Sequence, residues 1–235
     1  IRQAGILLAH TEYGVPLGQH FLVRDLHVAV RREHFLVGDV PASLDIDVAC
    51  SDIKRRSGSL VELRIDVVIR RDGHVAATGG GSLRCVSEAL YRRLRGDRAA
   101  GNAQLPLTAP VAPQSVGRMS PTDVVLSPTC RPDRWQLRVD TRHPVLFDHP
   151  VDHVPGMVLL EAARQAAAAT LESLPFVPTG VSSEFERYVE LDTPCFIEAQ
   201  RVPDSDLGQE SILVTGRQED NLVFRCLVTA CRDGG

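Results

Sequence analysis

Lysine is all but missing from this chain: of 26 basic residues only Lys54 is not an arginine, a bias that points to a GC-rich coding sequence and carries no mechanism. Charges of both signs are interspersed and the formal net charge is −4. The clustered basic face that marks a nucleic-acid binder is therefore absent. No apolar run reaches the roughly 18 residues a membrane-spanning helix needs. Six cysteines stand at 50, 85, 130, 195, 226 and 231, with no Cys-x-x-Cys and no histidine at a zinc-like spacing. That scatter argues for buried free thiols in a reducing cytoplasm rather than a disulfide framework or a metal site. No signal peptide is visible, and the first residue is Ile1 rather than Met. The chain opens inside a helical pattern with no capping residue ahead of it, so we expect further sequence upstream.

What is present is a core. Hydrophobic residues make up 43% of the 235 residues, enough for one large domain or two small ones. Residues 1–12 read as the end of a helix, stopped by Gly14, Pro16 and Gly18. Strand-like runs follow at 21–30, 43–53 and 60–70, with regular alternation in the last two. Arg71-Asp72-Gly73 is a hairpin signal leading into 74–86, where Gly79-Gly80-Gly81 marks a bulge or a close backbone approach. Ser87 is placed to cap a short helix, 88–94. Residues 95–120, rich in Gly, Pro, Ala and Gln, read as an exposed, mobile linker. Beyond it we expect strands at 124–126 and 135–139, a loop over 141–155, a helix over 156–172, and strands near 181–190, 194–202, 210–217 and 222–231, the last two joined by a turn at Gln218–Asn221.

The two halves echo one another. Ile1-Arg2-Gln3-Ala4-Gly5 is similar to Ala163-Arg164-Gln165-Ala166-Ala167, at an offset of 162 residues. Similar helices that far apart suggest two copies of one fold. Each half reads as a helix followed by antiparallel strands. An apolar helix among strands must be wrapped by them to bury its surface. The expected class is therefore α+β, a tandem (double) hotdog with an antiparallel sheet around a central helix in each half. The boundaries are 1–94 for a first repeat whose N-terminal part is missing, 95–120 for the linker, and 121–235 for the second repeat.

The chemistry concentrates in 147–169, where a loop rich in Asp and His meets Pro155-Gly156 and an oily helix carries Glu161 and Arg164. Burying a charge is costly unless it is paired or used. Glu161 and Arg164 sit at i and i+3 and share a helix face, so they form either a stabilising ion pair or a general base with a tuning or anion-binding arginine. The amides at Gly156 and Met157 begin the helix and lack intrahelical partners. With the helix dipole they could stabilise the oxyanion of an attacked thioester. Asp148, His149, Asp152 and His153 form a cluster with no metal signature. It reads as loop residues shaping a pocket, in which a His–Asp pair could assist proton transfer. The basic run Tyr91-Arg92-Arg93-Leu94-Arg95 is either a solvated helix face or a docking patch for an acidic carrier protein.

Phe147–Ala169 resembles the signature of hotdog dehydratases that act on acyl carrier protein thioesters, in which a His opens the loop, Pro-Gly starts the helix and an acid follows. Phe147 stands where that His would be, and His149 and His153 are out of register. A closer resemblance is to the A-factor biosynthesis (AfsA-type) hotdog family. It is carried by Phe147 through Ala166, by Ile1-Arg-Gln-Ala-Gly-Ile-Leu-Leu-Ala-His with its following Gly-Val-Pro-Leu-Gly, by Tyr91-Arg-Arg-Leu-Arg-Gly and by Arg187-Tyr-Val-Glu-Leu-Asp. The resemblance implies a cytoplasmic acyltransferase without cofactor or metal. Its substrates would be a β-ketoacyl thioester on acyl carrier protein and the hydroxyl of dihydroxyacetone phosphate, and its product would lead to γ-butyrolactone, furan or butenolide signals. Glu161, Gly156 and Arg164 would be catalytic. Arg2, His149, Asp152, His153 and Met157 would bind substrate, with Arg164 or Arg2 on the phosphate. The protein would work as a monomeric pseudo-dimer or a homodimer, with no nucleic acid and no membrane. The alternatives are a hotdog thioesterase or dehydratase, and a non-catalytic acyl- or lactone-binding protein.

Overall fold

The computed structural model describes residues 1–36, 38–100, 103–171, 176–203 and 209–231. The chain forms two compact units, Ile1–Ala99 with Thr179–Ser182, and Ala100–Pro178 with Ser183–Gly235. The final four residues of the second unit, 232–235, lie outside the described residues, as does residue 172, the expected end of the central helix.

In the first unit α1 (Arg2–Thr11) is followed by β1 (His20–Val30), β2 (Asp45–Arg56), β3 (Ser59–Arg71) and β4 (His74–Val86), then α2 (Glu88–Arg95). The strands are antiparallel in the order β2-β3-β4-β1. Two-residue turns close the hairpins, and their left-handed backbone explains their chemistry: Ser57-Gly58 has φ 50° and 83°, and Asp72-Gly73 has φ 51° and 77°. α1 lies on the sheet through Ala9, packed with Leu60, Leu63, Ile65, Val67, Leu83 and Cys85. The approach is close: a Cβ on Gly5 would stand 2.6 Å from a Leu83 methyl and 2.8 Å from an Ile65 methyl. The glycine trio of β4 is a close approach, not a bulge. A Cβ on Gly81 would collide with the Asp25 carbonyl of β1, and one on Gly80 with the Ile65 carbonyl of β3. The register shifts fall elsewhere, between Val23 and Asp25 and between Ile69 and Arg70. Ser87 caps α2 as expected, accepting a 3.3 Å bond from the Leu90 amide.

In the second unit β5 (Leu126–Pro128) and β6 (Arg134–Leu137) precede α3 (Gly156–Leu171). β7 (Pro178–Phe185), of which Thr179–Ser182 are counted with the first unit, β8 (Cys195–Val202), β9 (Gln209–Gln218) and β10 (Asn221–Cys231) follow. The antiparallel order β10-β9-β8-β6-β5 places α3 against β8, β9, β10 and β5. Ala162, Ala163, Ala166 and Ala167 are fully buried, so small side chains let the helix sit close to its sheet. The last hairpin turns at Glu219-Asp220, both with positive φ, between the paired Gln218 and Asn221.

Two expectations need correction. β5 starts at Leu126, because Val124 and Val125 serve side-chain and backbone partners outside a ladder: Val125 donates to Gln165, and the Val124 carbonyl accepts from Arg138. β7 ends at Phe185 rather than near 190. Past it Glu186 and Arg187 share the Val223 carbonyl, while the Val189 carbonyl accepts from Val154, so the chain leaves the ladder to brace the loop before α3. The segment expected as an exposed, mobile linker is exposed at most of its described positions, Met119 at 96%, and is anchored at several points. Leu105 bonds Leu191, Val111 bonds Leu126, and Val116 in the 3-10 turn Pro113–Val116 is fully buried. Residues 101 and 102 of that segment lie outside the described residues. Arg138, buried among backbone carbonyls, ties the segment down through Thr108 and Val124, at 2.9 and 3.0 Å. Burial lowers its pKa.

Candidate active site

The start of α3 is set by its neighbours. The Val154 amide donates to the Val189 carbonyl at 2.8 Å, and Val158 donates back to Pro155 at 3.0 Å. The Phe185 ring presses on Gly156, where a Cβ would meet it at 3.1 Å. Glycine at this position thus admits an aromatic ring against the first turn. Gly156 is half-buried, and Met157 is 46% exposed.

One turn into the helix, Glu161 is the centre of a clasp. Its side chain is 12% exposed. Oε1 accepts from Arg118 Nε at 2.8 Å, with Arg118 Nη2 in ion-pair contact at 2.6 Å, from Arg164 Nη2 at 2.9 Å and from Gln165 Nε2 at 2.6 Å. Arg164 Nε reaches both oxygens, Oε1 at 3.3 Å and Oε2 at 3.0 Å. Among the described residues Oε2 therefore carries a single bond where Oε1 carries several. Burial pushes the carboxyl pKa up. The bonds and charge of Arg164, then Arg118 and Gln165, pull it down further, and the net is a pKa below the ordinary glutamate value. Glu161 is an ionised carboxylate.

The cluster is tied to the fold at three points. Arg164 Nη2 also donates to the Val116 carbonyl at 3.0 Å. Gln165, with no exposed surface, donates to Asp123 O at 2.7 Å and accepts from the Val125 amide at 3.0 Å. The Arg118 amide donates to Pro113 O at 2.9 Å, just after Gly117 closes the turn with φ 63°. Sequence reasoning missed Arg118 and Gln165. Gln165 is four residues from Glu161 in an oily helix and could have been noticed. Arg118 stands 43 residues away in a Gly/Pro-rich stretch and left no local signal.

The loop residues form pairs of their own. His149 and Asp148 meet at 2.6 Å on the exposed surface. His153 and Asp152 meet at 2.8 Å with side chains 24% and 12% exposed, and the His153 ring makes an edge contact with Tyr188. Phe147 is buried and places no ionisable group at its position. Arg2 is half-buried in the first turn of α1, in the first unit, whereas all four members of the clasp belong to the second. The basic run divides: Tyr91 and Arg95 face inward, and Arg92 and Arg93 are exposed. Cys85 is buried with its pKa pushed up to about 11, and burial pushes Cys195 and Cys226 up to about 12, so these thiols are not nucleophiles at neutral pH. Cys130 is exposed and Cys50 half-buried, against the expectation that all are buried; the Cys231 side chain lies outside the described residues. Among the described residues no three His, Cys, Asp or Glu side chains gather in a way that could hold a metal, and no helix is long and apolar enough to cross a membrane. A cleft touching Val154, Val189 and Leu137 has a volume of about 20 Å³, too small for an acyl chain, and Glu161 does not line it.

Comparison with known proteins matches residues 1–87 and 99–232 to the A-factor biosynthesis hotdog domain. A 2-oxo-3-(phosphooxy)propyl 3-oxoalkanoate synthase of Streptomyces virginiae is 56% identical over 97% of this chain and 78% of its own. The protein of the same name from Streptomyces coelicolor is 47% identical over 95% of this chain and 71% of its own. Among solved structures, one described as an oleoyl thioesterase of Lactobacillus plantarum superposes with a TM-score of 0.61 at 14% identity, covering 100% of this chain and 88% of its own. At that identity the likeness concerns the fold alone.

Proposed function

The chain belongs to the A-factor biosynthesis hotdog family, and from that membership we propose that it is an acyltransferase joining a β-ketoacyl chain to the hydroxyl of dihydroxyacetone phosphate. The relatives' name describes the ester such a reaction would yield, a 3-oxoalkanoate carried on a phosphooxy-oxopropyl group. The donor in this reading is a thioester on acyl carrier protein, and the product opens a route to butyrolactone-type signals. The repeats span 1–94 and 121–235, the protein acts in the cytoplasm, and it works as a pseudo-dimeric monomer or a homodimer.

The observation that carries the reading is the clasp: a buried, ionised carboxylate with one oxygen saturated and the other held by a single bond. Oε2 of Glu161 accepts the proton of the acceptor hydroxyl. The freed oxygen attacks the thioester carbonyl, whose developing negative charge lies at the amides of Gly156 and Met157. That attack forms the ester C–O bond; collapse of the oxyanion restores the carbonyl and breaks the C–S bond, and the proton on Glu161 passes to the departing thiolate. A lowered pKa makes Glu161 a weak base that is in its accepting form at neutral pH. The thioester supplies the driving force, and positioning supplies most of the acceleration. Arg164 fixes the carboxylate. Arg2 enters this scheme only as the counterpart of Arg164 in the first repeat. His149, Asp152, His153 and Met157 are assigned to substrate binding in this reading.

The test is product analysis by mass spectrometry after incubation with β-ketoacyl and β-hydroxyacyl carrier thioesters, with and without dihydroxyacetone phosphate. The expected product is the phosphorylated ester, formed only when the acceptor is present. Free acid or an enoyl thioester formed without acceptor would support a thioesterase or dehydratase instead. Bound acyl chain that is never turned over would support a carrier or binding protein.

A further inference from the structure

Resting on the acyl-transfer reading, we propose that Arg118, not Arg164, grips the phosphate of the acceptor. Neither guanidinium has a hydrogen bond on Nη1 among the described residues, and the two differ in their other contacts and in exposure. Arg164 spends Nε and Nη2 on the Glu161 carboxylate, gives Nη2 also to the Val116 carbonyl, and is 19% exposed. It is a fastener. Arg118 directs Nε and Nη2 at one oxygen of Glu161, and its Nη1 has no hydrogen bond among the described residues. Its side chain is 37% exposed, against 12% for Glu161, so it is the outward member of the clasp. Two guanidiniums on one carboxylate leave the cluster one positive charge. A planar fork with free N–H groups at the outer edge matches a phosphate in shape and charge.

The backbone around Arg118 supports a fixed role. The residue follows a 3-10 turn closed by a left-handed glycine, its amide is bonded to Pro113, and the same turn supplies the carbonyl that holds Arg164. Phosphate drawn to Arg118 would also draw one of the two stabilising cations away from Oε1. Withdrawing a cation raises a carboxylate's proton affinity, so binding of the acceptor and strengthening of the base become one event.

The experiment compares kcat/KM for dihydroxyacetone phosphate with that for unphosphorylated dihydroxyacetone, using one β-ketoacyl carrier donor, for the native protein and R118Q, R118K and R2Q. The native protein should prefer the phosphorylated acceptor. In R118Q that preference should fall roughly 10- to 100-fold, mainly through KM, as expected for losing charged hydrogen bonds. R118K, which keeps the charge and loses the fork, should fall between. Inorganic phosphate should compete with the acceptor in the native protein and much less in R118Q. The acid limb of the pH–rate profile should move to higher pH in R118Q, which reports the loss of its charge beside Glu161, while the acceptor preference and the phosphate competition test the grip on phosphate. If R118Q fails to fold, R118K decides by the same ratio. An unchanged ratio, or its collapse in R2Q instead, overturns the assignment to Arg118 while acyl transfer stands. No ester from either acceptor with native protein overturns the acyl-transfer reading itself.

Discussion

Glu161 shows how much one side chain can be over-determined. A carboxylate at this depth would be driven to neutrality by desolvation alone, yet two arginines and a glutamine keep it charged. The sign of the pH effect follows. Its folded pKa lies below the unfolded value, so its contribution to stability is present above the ordinary glutamate range and is lost as pH falls through the depressed folded value. Thermal melts of native protein and Glu161→Gln across acidic pH should show a flatter curve for the variant in that window. An equally steep curve would place the pH-sensitive group elsewhere. The clasp also explains what sequence alone could supply. Glu161 and Arg164 stand out because charges in an oily helix are anomalous. Gln165 hides as an ordinary polar residue, and Arg118 is joined to them only through space.

At the scale of elements, local chemistry carried most of the fold. Asp72-Gly73 and Glu219-Asp220 turn where their backbone demands it, Ser87 caps its helix, and the alanine face of α3 announces close packing. Errors arose where backbone partners are decided by distant chain: β7 stops at Phe185 because Val189 serves Val154, and β5 starts at Leu126 because Val125 serves Gln165. The glycines of β4 are a tertiary requirement visible in sequence. Gly81→Ala drives a methyl into the Asp25 carbonyl of β1, and this backbone neighbour cannot rotate away. We expect a loss of about 1–3 kcal/mol, the usual range for overpacking, read as a lowered melting temperature. An unchanged melting temperature would mean that β1 and β4 can separate freely at this point.

Over the whole molecule, the same helix-on-sheet unit is met twice, once around Gly5 and Ala9 and once around Ala162–Ala167, in agreement with the internal echo of the sequence. The clasp lies wholly in the second unit. Leu63→Ala, at a fully buried position of the first unit, should lower stability by about 2–5 kcal/mol. Well below its melting temperature the variant should retain kcat, and a proportionate loss of kcat there would show that the first unit takes part in the chemistry. The family membership, the fold and the buried carboxylate converge on transfer of an acyl group to a phosphorylated alcohol. The most direct check is the initial rate of phosphorylated ester formation from a β-ketoacyl carrier thioester and dihydroxyacetone phosphate, measured by mass spectrometry for native protein and Glu161→Gln with matched circular dichroism. The account predicts that the native protein makes the ester and that the folded variant makes almost none; a folded variant that makes it at the native rate would contradict the role given to Glu161.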